Sequence, residues 1–262
     1  MSKRLLILSD LHCGHIVGLT PPGWQLNKHL DDPRLARISA CQREYWNFYR
    51  GKLAKYQPFD VVVVNGDAID GKGERSGGTE AITADRNEQC DMAVHAIRKA
   101  LGAKTKVVMT YGTPYHTGDG EDFEKNIAAK LDADISGHQY FRVEGVTFDV
   151  KHKVGSSQVP HGRHTAIARE HLWSQLWNDH SEIPQADVLI RSHVHYYNGA
   201  FGDGWVGMTT PALQGLGSKY GTRQCSGTVD FGFVVFEINK GSYTWEPVLL
   251  KVSTKQHLAL DI

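Results

Sequence analysis

The sequence lacks the features that mark several classes of protein. Lysine plus arginine and aspartate plus glutamate number 29 each, so the net charge is zero and gives no general reason to expect a nucleic-acid or membrane partner. The cysteines, at positions 13, 41, 90 and 225, form no Cys-x-x-Cys pair, and no apolar leader follows Met1. We therefore expect a reduced, soluble, cytoplasmic protein without a thiolate metal site or a membrane segment.

Internal repeats, low-complexity tracts and linkers are also missing from the 262 residues. A chain of this length can bury a large core without disulfides. The sequence therefore predicts one domain that spans residues 1–262, and it leaves the oligomeric state open.

Histidine is abundant, with 14 residues. Neutral imidazole is the commonest metal ligand in proteins, and it also exchanges protons near pH 7. The positions of the histidines relative to the predicted strands therefore indicate whether they could bind a metal or transfer protons.

Four short apolar runs, which begin at Leu5, Val61, Val107 and Val188, each end in a cluster of polar residues. Continuous apolar runs of this length are typical of strands that are buried on both faces. Apolar residues at three- and four-residue spacing predict helices over 33–56, 79–101 and 121–131. The alternation of strands and helices indicates a largely parallel sheet.

The pattern changes after residue 139. Two alternating segments flank Glu144-Gly145 and predict a hairpin over 140–150, and a second hairpin is expected around 239–242. A helix is predicted over 163–178, with Trp173 and Trp177 four residues apart in the core. The predicted fold is α/β, a four-layer α-β-β-α sandwich of two stacked mixed sheets flanked by helices.

The polar clusters follow the predicted strands, and the loops after parallel strands converge on one edge of the sheet, where ligands bind. Asp10 and His12 are two residues apart, the spacing at which an extended segment directs both side chains to one side. The remaining candidates are Asp67, Asp70, Thr113, His116, His152, His193 and His195. Mixed aspartate and histidine ligands suit manganese, iron or zinc, and their number indicates two ions.

In this order the residues resemble the calcineurin-like metallophosphoesterases, whose motifs are D-x-H, G-D-x-x-D, G-N-H, a lone His and G-H-x-H. The matching residues are Asp10 and His12, then Gly66, Asp67 and Asp70, then His152, and finally His193 and His195. Two positions depart from the pattern. Ser192 replaces a glycine, and Thr113 replaces the asparagine of the third motif, whose histidine arrives at His116. This G-T-x-x-H variant resembles phage and prophage members.

The resemblance implies a role for each residue. Asp10, His12 and His195 would hold one divalent ion, His152 and His193 would hold the other, and Asp67 would bridge both. Hydroxide between ions roughly 3.5–4 Å apart would attack the phosphorus. His116 would protonate the leaving oxygen, and Asp70 would orient His116 or a metal ligand. Thr113 would coordinate the second ion directly, through water, or not at all.

The substrate is a phosphate ester whose class the motifs leave open. Gly71 stands where the protein Ser/Thr phosphatase branch has an arginine that grips a dianionic monoester, which favours a phosphodiester. A phosphodiesterase or nuclease acting on nucleotides or nucleic acids is therefore the preferred function, with manganese as the preferred metal. The alternatives are a phosphomonoesterase and a catalytically degenerate metal-binding scaffold. Candidate substrate-binding residues at the mouth of the cleft are Lys72, Arg75, His161 and Arg163.

Overall fold

A computed structural model describes residues 2–27, 31–117, 122–157, 159–217 and 229–251. The strands are β1 (Lys3–Leu8), β2 (Val61–Asn65), β3 (Lys106–Thr110), β4 (Asp134–Ser136), β5 (Gln139–Val143), β6 (Val146–Val150), β7 (Val188–Arg191), β8 (Asn198–Gly202), β9 (Trp205–Thr209), β10 (Phe231–Asn239) and β11 (Ser242–Leu250). The helices are α1 (Pro33–Tyr56), α2 (Arg86–Arg98), α3 (Pro114–Thr117), α4 (Phe123–Leu131) and α5 (Arg163–Asp179).

The strands form two mixed sheets. The first has the order β11-β10-β1-β2-β3-β4, and the second has the order β5-β6-β7-β9-β8. Strands β1 to β4 are parallel to one another, as are β6, β7 and β9, whereas β10, β11, β5 and β8 pair antiparallel to their neighbours.

Side chains alternate between the two faces of each sheet. Leu5 and Ile7 point from β1 into a core shared with Phe148 and Ile190 of the second sheet. The intervening residues of β1 face the opposite way and pack against α1, α2 and α4, while α5 covers the outer face of the second sheet. The predicted α-β-β-α arrangement is confirmed.

Most predicted elements are present, with changed bounds. Helix α1 has the predicted range, but α2 begins at Arg86 and not at Thr79, because the Asp85 side chain accepts a hydrogen bond from the Asn87 backbone and caps the helix there. Both predicted hairpins are confirmed. Strands β4 and β8 are absent from the sequence prediction. Among the described helices, none combines the length and apolar character that a bilayer-spanning segment requires.

The prediction that Trp173 and Trp177 belong to the core is wrong. Their exposed fractions are 55% and 51%. Helix α5 turns a different side toward the sheet, where Ala166 and Ile167 are buried, Glu170 bonds to Arg191 and His171 stacks on Trp205.

A buried ionic network joins the ends of β6 and β7. The Arg191 guanidinium donates to the Asp149 carboxylate at 2.7 Å and to Glu170 at 2.9 Å. Burial raises the pKa of Asp149, but His138 and Arg191 outweigh it and hold the pKa at about 2. Because His152 follows β6 and His193 follows β7, this network fixes the relative position of two candidate ligands.

We expect Arg191→Met to lower the free energy of unfolding by about 3–5 kcal/mol, because it leaves the buried Asp149 carboxylate and Glu170 without the guanidinium that they share. Urea denaturation measures the change. The control is Lys130→Met, which breaks the exposed Lys130–Asp91 pair and should cost less than about 1 kcal/mol. Equal losses in the two variants would show that the buried network does not hold the sheet.

Candidate metal centre

The candidate metal ligands lie together where strands of both sheets end. Asp10 and His12 follow β1, Asp67 follows β2, and His152 follows β6; all four side chains are buried. His193 and His195, after β7, are partly exposed. Backbone hydrogen bonds join the first two loops, since the amides of residues 10 and 12 donate to the carbonyls of residues 66 and 67 at 3.0 Å.

The first group consists of Asp10, His12 and His195. The His195 Nε2 atom lies 3.2 Å from Asp10 Oδ1 and 3.2 Å from His12 Nε2. Asp10 Oδ1 is buried and accepts no well-aligned hydrogen bond, although His195 Nε2 is close to it. This is a costly state for a carboxylate oxygen. A carboxylate oxygen and two imidazole nitrogens that converge in this way fit a divalent ion.

The second group consists of Asp67, His152 and His193. Asp67 Oδ2 lies 3.0 Å from His152 Nε2 and 4.0 Å from His193 Nδ1. His152 Nδ1 donates to the Asn65 carbonyl at 2.7 Å, which directs the Nε2 atom into the group. Burial lowers the pKa of His152, but Asp67 and Asp10 raise it to about 10. The carboxylates therefore strongly favour positive charge at this point.

A third group lies beside the first and contains His12, Asp70 and His116. His12 Nδ1 lies 3.2 Å from Asp70 Oδ1, and His116 Nδ1 donates to the Asp70 carbonyl at 2.8 Å. His116 Nε2 lies 4.0 Å from Asp67 Oδ2. Burial raises the pKa of Asp70. Asp70 thus contacts a candidate ligand through its side chain and His116 through its backbone.

Thr113 donates two hydrogen bonds to the carboxylate of Asp67. Its amide donates to Asp67 Oδ1 at 2.6 Å, and its hydroxyl donates to the same oxygen at 3.1 Å. A Cβ atom on Gly112 would overlap the Asp67 carboxylate, so only glycine allows the backbone at residue 112 to lie this close to Asp67. In this geometry Thr113 orients Asp67.

The backbone at the ligand positions is unusual. Residues 10, 12, 67, 193 and 195 all have positive φ, between 42° and 75°. The left-handed region costs a residue other than glycine about 1–3 kcal/mol, and such residues cluster at functional sites. The expectation of an extended segment at Asp10 and His12 is therefore wrong, because both side chains reach the site from left-handed backbone.

The predicted substrate-binding residues differ in how they relate to the centre. Lys72 and His161 are exposed. Arg75 belongs to the short turn Glu74–Ser76, and its side chain is outside the description. The Arg163 guanidinium lies 4.0 Å from the centre of the Tyr196 ring, so Arg163 packs against the residue that follows His195.

Ser192 has a role that its small size does not reveal in the sequence. Its hydroxyl accepts from Asn65 Nδ2 at 2.6 Å and bonds to the Thr210 hydroxyl at 2.7 Å. Asn65 ends β2 of the first sheet and Ser192 follows β7 of the second. Ser192 therefore provides a buried link between the two sheets beside the centre.

Glu124 is the main residue that the sequence did not indicate. It is fully buried on α4, and its carboxylate accepts from the Ala68 amide at 2.8 Å and from the Gly112 amide at 2.6 Å. These amides belong to the loops that carry Asp67 and Thr113. Burial and the nearby Asp67 raise the pKa of Glu124 to about 7. The one sequence feature that could have indicated Glu124 is its position, as a charged residue, on the apolar side of a predicted helix.

Comparisons with known proteins give a resemblance in shape. No family model matches the chain, and no curated protein matches it. An archaeal phosphodiesterase is 11% identical, with a TM-score of 0.49, covering 94% of this chain and 99% of that chain. Vps29 from Entamoeba histolytica in complex with zinc is 14% identical, with a TM-score of 0.42 and coverage of 94% and 98%. A predicted phosphoesterase from Streptococcus pneumoniae is 10% identical, with a TM-score of 0.38 and coverage of 91% and 84%.

We expect Glu124→Gln to weaken manganese binding about 10- to 100-fold. A glutamine side chain offers one acceptor oxygen, so one of the two loop amides loses its partner and the loop shifts. Isothermal titration calorimetry measures the affinity, and circular dichroism verifies folding.

Glu88→Gln is the matched control, because Glu88 also lies in the first turn of a helix and accepts a hydrogen bond, from Trp24. Wild-type manganese affinity in Glu124→Gln would contradict a positioning role for Glu124.

Proposed function

We propose that this chain is a metal-dependent phosphoesterase of the calcineurin-like type, with a single catalytic domain over residues 1–262, and that it hydrolyses phosphodiesters. The main support is the convergence of two aspartate–histidine groups at one edge of the sandwich, where the buried Asp10 Oδ1 atom accepts no well-aligned hydrogen bond. Asp10, His12 and His195 would hold one ion. Asp67, His152 and His193 would hold the other, with Asp67 shared between the two.

Divalent ions at these positions would make hydroxide available at neutral pH and neutralise charge on the phosphoryl oxygens. The chain's own contribution is orientation and proton transfer. The bond from His116 Nδ1 to the Asp70 carbonyl leaves Nε2 free to hold the proton that the leaving oxygen receives. Asp70 keeps His12 and His116 in place, and Thr113 holds the Asp67 carboxylate.

The donor set supports manganese, with iron and zinc as alternatives, because it contains only carboxylate oxygen and imidazole nitrogen. Cys13 adjoins His12 in sequence, but its thiol is buried and donates to the Leu19 carbonyl at 3.2 Å. Burial raises the pKa of this thiol well above its ordinary value. Cys13 therefore acts as a small buried side chain and not as a ligand.

The geometry at Gly71 supports a diester substrate. Gly71 has a φ of 79°, and a Cβ atom there would lie 2.6 Å from the His116 carbonyl oxygen. An arginine at this position would collide with the backbone of the proposed acid. The chain therefore cannot place the guanidinium that grips a dianionic monoester here, whereas a diester carries a single negative charge.

We expect manganese-dependent hydrolysis of bis(p-nitrophenyl) phosphate to exceed that of p-nitrophenyl phosphate, compared as kcat/KM. Both substrates release p-nitrophenolate, so they have the same leaving group and differ in the second ester group and in the charge of the phosphoryl oxygens. A strong preference for the monoester would indicate a phosphomonoesterase instead. Metal binding without turnover of either ester would indicate a scaffold.

We expect His116→Gln to lower kcat by about 10²–10⁴-fold for a diester with an alkoxide leaving group, which needs a proton. The loss should be far smaller for a p-nitrophenyl diester, because p-nitrophenolate leaves without one. Steady-state kinetics on the two substrates measures the difference. His164→Gln, which alters a surface histidine on α5, is the control. Equal losses on both substrates would exclude His116 as the general acid.

A further inference from the structure

Helix α5 presents a stripe of large apolar side chains to solvent. The stripe consists of Leu172, Trp173, Leu176 and Trp177, with exposed fractions of 55%, 55%, 41% and 51%. Their spacing places them on one side of the helix within two turns.

The side of α5 that faces the sheet uses other residues. Ala166 and Ile167 are buried in a small apolar cluster with Val154 and Trp205. Glu170 bonds to Arg191 at 2.9 Å, and the His171 ring stacks on Trp205 with ring centres 3.7 Å apart. The helix is therefore attached to the sheet through one set of residues, and its stripe of four large apolar side chains takes no part in that contact.

An amphipathic helix normally buries its apolar stripe. Contiguous exposed apolar side chains mark interaction surfaces, and tryptophan is enriched at the energetic centres of such surfaces. Within the described ranges, no segment covers these four side chains. The stripe therefore has the composition of an interface.

We propose that the stripe binds a second copy of this chain, with the two α5 helices antiparallel about a two-fold axis. An interface of this symmetry must be complementary to itself. A two-fold axis between residues 174 and 175 pairs Leu172 with Trp177 and Trp173 with Leu176 across the two copies. Each tryptophan then packs against a leucine, which avoids placing two large indoles at the same level.

The charges beside the stripe favour the antiparallel arrangement. Arg169 lies at the N-terminal end of the stripe and Asp179 at its C-terminal end, and both side chains are exposed. The antiparallel axis brings Arg169 of each copy within one helical turn of Asp179 of the other. Parallel helices would instead place equal charges at the same level.

Sedimentation velocity over a concentration range of about 1–100 µM tests the proposal. The wild-type chain should shift from monomer to dimer, and Trp173→Ser/Trp177→Ser should remain monomeric throughout. Because about half of each side chain is exposed, this variant should keep the wild-type circular dichroism spectrum. Phe201→Ser is the matched control, since Phe201 is 78% exposed on β8, outside the stripe, and it should dimerise normally.

Charge reversal tests the orientation. Arg169→Glu and Asp179→Arg should each weaken the dimer about two- to fivefold, and the double variant should recover wild-type affinity. A double variant as weak as either single variant would overturn the antiparallel arrangement. A monomeric wild-type chain at all concentrations, or a dimer that survives loss of both tryptophans, would overturn the proposal.

Discussion

The buried carboxylate of Asp67 is the group on which the arrangement of the site depends. It lies at the end of the central strand β2 and bonds to the Thr113 amide and hydroxyl on one side and to His152 on the other. These contacts join loops from both sheets at one point. The same carboxylate favours positive charge at His152, so the geometry and the electrostatics of the centre have a common origin.

Buried polar contacts around the site connect the loops that carry the candidate ligands. Glu124 ties together the loops after β2 and β3, Ser192 links the two sheets, and Arg191 joins the ends of β6 and β7. Such buried polar links are favourable only when their members are satisfied. They also supply the constraint that keeps five candidate ligands in left-handed backbone. The sandwich thus acts as a frame that maintains a strained site.

The sequence predicted the layers correctly and named candidate ligands that the fold brings close together, because both depend on local patterns. Apolar runs ending in aspartate or histidine identify strand ends, and the order of the motifs identifies the residues that converge. The remaining features depend on tertiary contacts. Glu124 occupies an apolar position of α4 together with Ile127 and Leu131, but the two loop amides that its carboxylate binds are distant in the sequence. The steric reason for Gly71 exists only when His116 packs against it. The four-residue spacing of Trp173 and Trp177 predicted a buried side of α5, which is wrong. The side that faces the sheet instead carries Ala166, Ile167 and Glu170.

The central claim is that two metal ions bind between the two sheets, one in each aspartate–histidine group. A crystal structure of the manganese-loaded chain, with anomalous diffraction at the manganese edge, tests it directly. We expect two anomalous peaks, one among Asp10, His12 and His195 and one among Asp67, His152 and His193, with the second lost in Asp67→Ala. A structure with no peak at these residues, or with a second peak that persists unchanged in Asp67→Ala, would contradict it.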